Sequence, residues 1–315
     1  MKNITILTPI KNERENLLLF MQSIQDTVSR IEGYNFTHVF VDNLSSDGSI
    51  DIVCEQIKAQ KHIGLIINQR DVGWHRSVFN ALTTIDSDAV IVISADFQDP
   101  VELIPSFIEH WANGHQVVGG IKLSDADKFF VSLLRKLYYF LMQRISDSTH
   151  TPGFIGFGLY DKKVLDLFKN IPDSEPYLRG LPADFGFVVK GIEYHQPRRH
   201  SGESKFNFFK LLDISIVGIT SQSKAPMRIA TIVGLFSSIL SLSIGIVYLA
   251  IKLIFWNQIS FGLAPLIIFV TFAFSLQFLF IGLIGEYISK ISRDLLKRPL
   301  ALERQRINIP PSNPL

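Results

Sequence analysis

The sequence predicts an α/β fold, a mainly parallel sheet with helices on both faces, followed by a two-helix membrane hairpin. Three observations predict it. Short β-rich apolar runs recur at residues 4–10, 37–41, 63–68, 89–94 and 116–121. Longer segments with helical spacing separate them, at 14–31, 49–60, 74–85 and 103–113. Such alternation is the pattern of parallel strands joined by helical crossovers. Downstream, no charged residue occurs from Ala230 to Ile251 or from Leu253 to Gly285.

The first run, 4–10, is too short for a signal-peptide core. It contains Pro9 and leads into Lys11-Asn12-Glu13-Arg14, so it reads as a strand, with the N-terminus expected in the cytoplasm. The two uncharged runs are each long enough for the roughly 20 apolar helical residues that a bilayer core requires. They place one span at 230–251 and another at about 261–284. Soluble helices of that length carry a polar stripe, which these lack. Lys224 and Arg228 precede the first span, and Lys290, Arg293, Lys297 and Arg298 follow the second, with Lys252 alone between them. The positive-inside rule then puts both long ends in the cytoplasm. Pro265 and Gln277 inside the second span are satisfied by helix packing. The resulting division is a cytoplasmic domain at 1–205, a juxtamembrane amphipathic helix at 206–226, the hairpin at 227–288 and a basic cytoplasmic tail at 289–315. Segments 129–145 and 206–219 are aromatic-rich and basic, as interfacial helices are. The protein is expected in the inner (plasma) membrane as a multi-pass protein, and hairpins of this kind pack with neighbours, which leaves a homo-oligomer open.

Composition agrees. The 315 residues carry 31 Lys and Arg against 29 Asp and Glu, a formal charge of +2. A length near 300 exceeds what one core usually holds. Charged residues are 19%, hydrophobic ones 47% and the mean hydropathy is +0.24. These values exclude a disordered chain and argue against a fully soluble enzyme. One cysteine, Cys54, excludes a disulfide scaffold and a Cys-based zinc site. Near-neutral charge argues against a nucleic-acid partner.

Function is read at the strand ends. Pro9, Asn12 and Glu13 lie where strand one ends. Asp42 ends strand two, with Ser45, Ser46 and Asp47 in the turn. Asp96, Gln98 and Asp99 follow strand four. Open parallel sheets bind ligands beyond the carboxyl ends of their strands. Each cluster alone is ordinary turn or helix-entry chemistry; their convergence on one edge makes a ligand site. No Gly-x-Gly-x-x-Gly follows strand one, which disfavours a dinucleotide, and Gly202-Glu203-Ser204-Lys205 lacks the spacing of a Walker A loop. Carboxylates in place of glycines point to a divalent cation between protein and phosphates, as Mg²⁺ is usually held.

These residues resemble a family. Pro9-Ile10-Lys11-Asn12-Glu13, Val41 to Ser49 (VDNLSSDGS) and Ser94-Ala95-Asp96-Phe97-Gln98-Asp99-Pro100 resemble the successive motifs of glycosyltransferase family 2. With Arg199 to Phe206 (RHSGESKF) and the C-terminal hairpin, they resemble its polyprenyl-phosphate branch over most of the chain. The resemblance implies a GT-A fold, with a Rossmann-like sheet domain, a nucleotide-sugar donor and Mg²⁺ or Mn²⁺. It implies that Pro9, Asn12, Glu13, Asp42, Asp47, Arg70 and Ser94 bind the nucleotide sugar, with Asp96 and Gln98 at the metal and diphosphate. Arg179, Arg199, Ser204 and Lys205 would meet the acceptor phosphate. Three motifs depart from the family pattern. Asp-x-Asp reads Ser94-Ala95-Asp96, Arg-Asn-x-Gly reads Arg70-Asp71-Val72-Gly73, and Asp-Phe-Arg reads Gly156-Phe157-Gly158.

The implied reaction is an inverting displacement at the anomeric carbon of a hexose, the donor being a UDP-sugar. The nucleoside diphosphate leaves with growing negative charge, which a cation at Asp96 would offset. A polyprenyl phosphate acceptor is already anionic, so no base is obligatory. A sugar hydroxyl, as in a lipid-linked saccharide acceptor, would use one, and Asp184 is then the candidate. Arg179, Arg198, Arg199 and Lys205 supply phosphate-binding charge near the membrane, which also attracts anionic headgroups. His195 and His200 lack the further ligands a metal site needs, and His75 reads as a capping or packing residue. A non-catalytic nucleotide-sugar-binding membrane protein is the alternative raised by Ser94 and Gly156.

Overall fold

The computed structural model describes residues 1–123, 151–171, 176–197, 225–254, 263–296 and 299–310. The chain begins with β1 (Lys2–Ile10), α1 (Arg14–Val28), β2 (Tyr34–Asp42), α2 (Ser49–Ala59), β3 (Ile63–Asn68), α3 (Trp74–Thr84) and β4 (Ala89–Val92). A 3-10 turn, Val101–Leu103, enters α4 (Ile104–Ala112). Then come β5 (Val117–Leu123), β6 (Phe154–Asp161), α5 (Lys162–Phe168), the short α6 (Leu181–Asp184) and β7 (Val189–His195). The long helices α7 (Ala225–Ile254) and α8 (Leu263–Leu295) precede β8 (Glu303–Ile307).

Among the described residues one eight-stranded sheet forms, in the order β7-β5-β6-β4-β1-β2-β3-β8. β4, β1, β2 and β3 are mutually parallel, as the strand–helix alternation requires. β6 runs antiparallel between β4 and β5, and β8 runs antiparallel along β3. Alternate residues feed two cores. Ile4, Ile6, Phe40, Leu65 and Ile91 point to the face covered by α1 and α4. Leu7, Val39, Ile66, Val90 and Val92 point to the face covered by α3 and α5. Phe107 meets Phe157 with ring centroids 5.0 Å apart in the first, and Phe79 meets Phe168 at 5.3 Å in the second. Each such buried ring contributes about 1.5–3 kcal/mol. A cavity of about 320 Å³, lined in part by Met21, Gln25, His38 and His62, lies toward the amino ends of the strands, away from the strand-end loops.

Several elements differ from the sequence expectation. β4 stops at Val92 because the Ser94 amide donates to the Asp99 carboxylate at 3.0 Å instead of continuing the ladder. β6 and β7 were not expected. β6 contains Gly156 and Gly158, which break the apolar alternation, and a Cβ at 158 would stand 2.2 Å from the Val118 carbonyl oxygen. β7 is an edge strand of mixed polarity. The interfacial helices expected at 129–145 and 206–219 lie outside the described residues.

The largest correction concerns the tail at 289–315. α8 continues to Leu295, and residues 303–307 return to the sheet as β8. The Gln69 amide donates to the Leu302 carbonyl at 2.7 Å, and Asn308 donates to the carbonyls of Lys61 and Ile63 at 2.7 and 2.6 Å. Ile309 fills the space a side chain at Gly64 would take. Arg306 bonds Glu303 and, at 2.8 Å, the Thr84 hydroxyl at the end of α3. The charges of 289–315 that suggested a solvated tail are in part consumed by these pairs.

α7 and α8 have 30 and 33 residues, about 45–50 Å at 1.5 Å per residue. Their most apolar windows, Ala230–Val247 and Phe272–Ser289, have mean hydropathies of 2.1 and 1.5 and no buried residue. A helix pair that exposes Phe236, Ile246, Phe272 and Phe278 is suited to lipid rather than water.

Replacing Arg306 by Ala would leave the half-buried Glu303 carboxylate with the Asn80 side-chain amide, 3.2 Å away, in place of a cation. We expect a loss of about 1–3 kcal/mol, read as a lower denaturation midpoint of the full-length protein in detergent.

Candidate active site

The loops after β1, β2 and β4 meet at one edge of the sheet because their strands are adjacent and parallel. Each loop turns through a left-handed residue that is not glycine: Asn12 (φ 55°), Leu44 (φ 65°) and Phe97 (φ 60°). Asn is tolerated there; Leu and Phe are strained, and such strain clusters at functional sites.

Side chains clamp the first two loops together. The Asn12 amide donates to Ser45 Oγ at 2.9 Å, and the Ser46 amide donates to Asn12 Oδ1 at 2.8 Å. The Glu13 amide donates to Ser49 Oγ at 3.0 Å. Asp47 takes the Arg14 amide on one oxygen and the Ser49 amide and hydroxyl on the other. Burial opposes charge on Asp47, but the Ser49 hydroxyl and these amides prevail and hold its carboxyl below the usual range. Asp47, expected at the nucleotide, thus has both oxygens engaged in bracing the loops. Asp42 is fully buried, its carboxylate accepting the Ser45 amide. Glu13 Oε2 accepts the Asn16 side-chain amide at 2.8 Å, while half-buried Pro9 pairs with Val41.

A second set of contacts was not expected from the sequence. Asp71 forms an ion pair with Lys11 and accepts from the Asn43 side chain at 2.5 Å and the Gly73 amide at 3.0 Å. Asn43 Oδ1 accepts the Val72 amide at 3.0 Å. The loops after β1, β2 and β3 are thereby joined. Burial opposes the Asp71 charge, yet the Lys11 bond and the Gly73 amide pull its pKa below the ordinary value. Arg70 beside it is exposed. The signal in sequence was the Asp where the family pattern has Asn.

After β4, Asp96 is half-buried and its Oδ1 accepts the Gln98 amide at 3.2 Å. Beneath it Asp99 is buried. Asp99 bonds the Ser94 amide at 3.0 Å and the Ser94 hydroxyl, and Tyr194 OH donates to it at 3.4 Å. Burial pushes the Asp99 carboxyl up to about 6, against the pull of the Ser94 bonds. Among the described residues no group of three or more His, Cys, Asp or Glu could hold a metal ion. One carboxylate, Asp96, with the Gln98 side-chain oxygen and Ser94 hydroxyl nearby in sequence, fits a cation shared with a diphosphate. It does not fit a resident metal caged by protein alone.

Gly156, at the start of β6, lies at the same edge. Its φ is +99°, its carbonyl accepts Tyr160 OH at 2.9 Å, and a Cβ there would stand 3.1 Å from the Trp74 ring. A side chain at 156 would therefore be strained and would press on the Trp74 ring. His75 follows, its ring centroid 4.9 Å from Trp74 and 5.7 Å from Tyr177. Burial, then the Arg179 charge, push His75 down to about 3, so its imidazole is neutral at pH 7. Asp184 is exposed at the end of α6. Arg198, Arg199, Ser204 and Lys205 lie outside the described residues.

Asp71→Asn keeps an acceptor for Asn43 but loses the ion pair with Lys11. A carboxyl whose folded pKa is lowered contributes stability above its unfolded pKa, and this is lost as pH falls through the folded value. Wild type should therefore exceed the variant in melting temperature at neutral pH, and the gap should close as acid protonates Asp71. A gap that stays constant down to the acid limit would show that the ion pair contributes nothing.

Residues 5–168 match the family model described as Glycosyl transferase family 2. The chain is 29% identical over 309 residues to an uncharacterized glycosyltransferase, YkcC, of Bacillus subtilis, covering 97% of this chain and 94% of that one. It is 29% identical over 298 residues to the bactoprenol glucosyl transferase of Shigella phage SfII, covering 94% and 96%. Against the undecaprenyl-phosphate 4-deoxy-4-formamido-L-arabinose transferase of Klebsiella pneumoniae the identity is 25% over 300 residues, covering 95% and 91%. With more than half of its length matched by the family model and the strand-end motifs in place, the chain belongs to glycosyl transferase family 2.

Proposed function

We propose that this protein transfers a hexose, with inversion, from a UDP-sugar to a polyprenyl phosphate at the cytoplasmic leaflet. The observation that carries the proposal is the length of the likeness. Relatives named as bactoprenol or undecaprenyl-phosphate transferases match across the sheet domain and the apolar hairpin together.

The chemistry at the sheet edge supports the same reading. The bond from the anomeric carbon to the β-phosphate oxygen breaks, and a bond to the acceptor phosphate oxygen forms. Asp42 and the clamped loops after β1 and β2 would hold the nucleoside. Asp96 and Gln98 would hold Mg²⁺ or Mn²⁺ against the diphosphate, where such a cation offsets the charge of the leaving group. An acceptor phosphate is already ionised, so it needs no base. Gly156 supplies none, and a side chain there would press on the Trp74 ring. Arg179, and beyond it Arg199, Ser204 and Lys205, would receive the acceptor.

Membrane placement is supported by α7 and α8, which approach each other at Gly234 and Phe280 and expose Phe236, Ile246, Phe272 and Phe278. β8 returns the chain after α8 to the sheet, as it would if both ends of the hairpin lay on the domain's side. That geometry, with the basic flanks, supports a two-span protein whose ends are both cytoplasmic.

The experiment is transfer of radiolabelled glucose from UDP-glucose to undecaprenyl phosphate by the full-length protein in detergent with Mg²⁺. We expect a chloroform-soluble product, reduced about 100-fold or more by Asp96→Ala. Label passing only to a lipid-linked saccharide, or UDP bound without transfer of any hexose tested, would overturn the reading. Gly156→Asp should lower transfer at least about tenfold, since the residue must be strained at φ +99° against Trp74. A gain in rate would instead show that the acceptor needs a base.

A further inference from the structure

We propose that the His75 imidazole and the Arg179 guanidinium, at the amino end of α3, together receive one phosphate oxyanion. His75 Nδ1 and Arg179 Nε are both buried and neither has a hydrogen-bond partner. Two buried polar atoms left unpaired in one place are costly unless a ligand completes them. The His75 ring packs against Trp74, edge-on with centroids 4.9 Å apart, and against Tyr177 at 5.7 Å.

The charge of the place selects the ligand. Besides burial, the positive charge of Arg179 opposes a second proton on His75. A cation would be repelled and a neutral sugar hydroxyl would leave the guanidinium without a counter-charge. α3 is an 11-residue helix, and the Ser77 amide is the first to bond back, to the Gly73 carbonyl. The helix dipole favours negative charge at this end. Because α3 follows β3, this end of the helix opens at the same sheet edge as Asp42 and Asp96. A phosphate there would accept from Arg179 Nε and from His75 Nδ1, once that nitrogen carries the imidazole proton.

Both substrates of the proposed reaction bear phosphate, the lipid as its headgroup and the nucleotide as its diphosphate. Assigning the occupant to either rests on the proposed function; the pocket itself does not.

The test uses the full-length protein in detergent, titrated calorimetrically with inorganic phosphate, with UDP plus Mg²⁺ and with farnesyl phosphate. We expect His75→Leu and Arg179→Gln each to weaken inorganic phosphate about tenfold or more, as loss of a charge-assisted bond does. His75→Asn, which keeps an N–H donor near the place of Nδ1, should stay within about threefold of wild type. Farnesyl phosphate weakened with UDP unchanged makes the occupant the lipid headgroup, and the reverse makes it the nucleotide's diphosphate; either supports the pocket. Unchanged phosphate affinity in both variants overturns it. Should the variants melt far below wild type, ¹⁵N-histidine NMR of the wild-type protein decides. The His75 Nδ1 resonance must move on adding phosphate, and a resonance that stays overturns the proposal. Phosphate bound through these residues in a protein that transfers no sugar would sink the proposed function and leave the pocket. Transfer to the lipid with phosphate affinity indifferent to both variants would do the opposite.

Discussion

Everything at the catalytic edge depends on the clamp between the loops that leave β1 and β2. Asn12 accepts from the Ser46 amide while its own amide reaches Ser45, and Asp47 joins the starts of α1 and α2 through Arg14 and Ser49. These bonds hold two short loops in conformations the chain would not choose alone. A bulky residue in the left-handed region costs about 1–3 kcal/mol, and Leu44 and Phe97 both stand there. The clamp is what lets β2 end in a wholly buried carboxylate, Asp42, with its neighbours already ordered. On the proposed function, a nucleotide arriving there would meet a surface that has little left to arrange, so that little affinity is lost to ordering loops.

Most of the carboxylates at this edge are engaged by neighbouring groups. Asp47 and Asp71 are committed to neighbouring backbone and side chains, Asp99 is buried and bonded to Ser94, and position 156 cannot accept a side chain without moving Trp74. Asp96 is half-buried, and its Oδ1 accepts the Gln98 amide. On the other side of the edge stand Arg179 and a neutral His75. An enzyme that must deprotonate a hydroxyl would need the reverse balance. On the proposed function, a site that brings together two phosphate-bearing substrates would gain from limiting its own negative charge, and Ser94 and Gly156, which carry none, act in that direction.

Much of this was legible in the sequence. The parallel core was, because each strand is a short apolar run between amphipathic helices, and Ile63–Asn68 was bounded to the residue. The strand-end loops were also legible, since Asp42, Asp96 and the Pro9–Glu13 motif sit where the strands stop. What escaped was long-range. β6 hides behind two glycines whose purpose is the close approach of β5, visible only once the strands are paired. Asp47 looks like a ligand in sequence because a carboxylate in a turn has no visible partner, and its partner Arg14 is 33 residues away. The Lys11–Asp71 pair spans 60 residues. His75 reads as a packing residue until Arg179 is placed beside it, and nothing local in either segment announces the other.

β8 has a consequence for how the molecule is made. Its pairing with β3 joins residues more than 230 positions apart, on either side of the apolar hairpin. During synthesis β3 is a bare rim, its amides and carbonyls open along one side, for as long as the two long helices are being produced and delivered to lipid. Open rims of this kind recruit strands from other chains, and contacts this distant are slow to form. The nascent sheet can be sealed only after both long helices have been synthesised, so a chain cut short before residue 303 would leave β3 uncapped and prone to self-association.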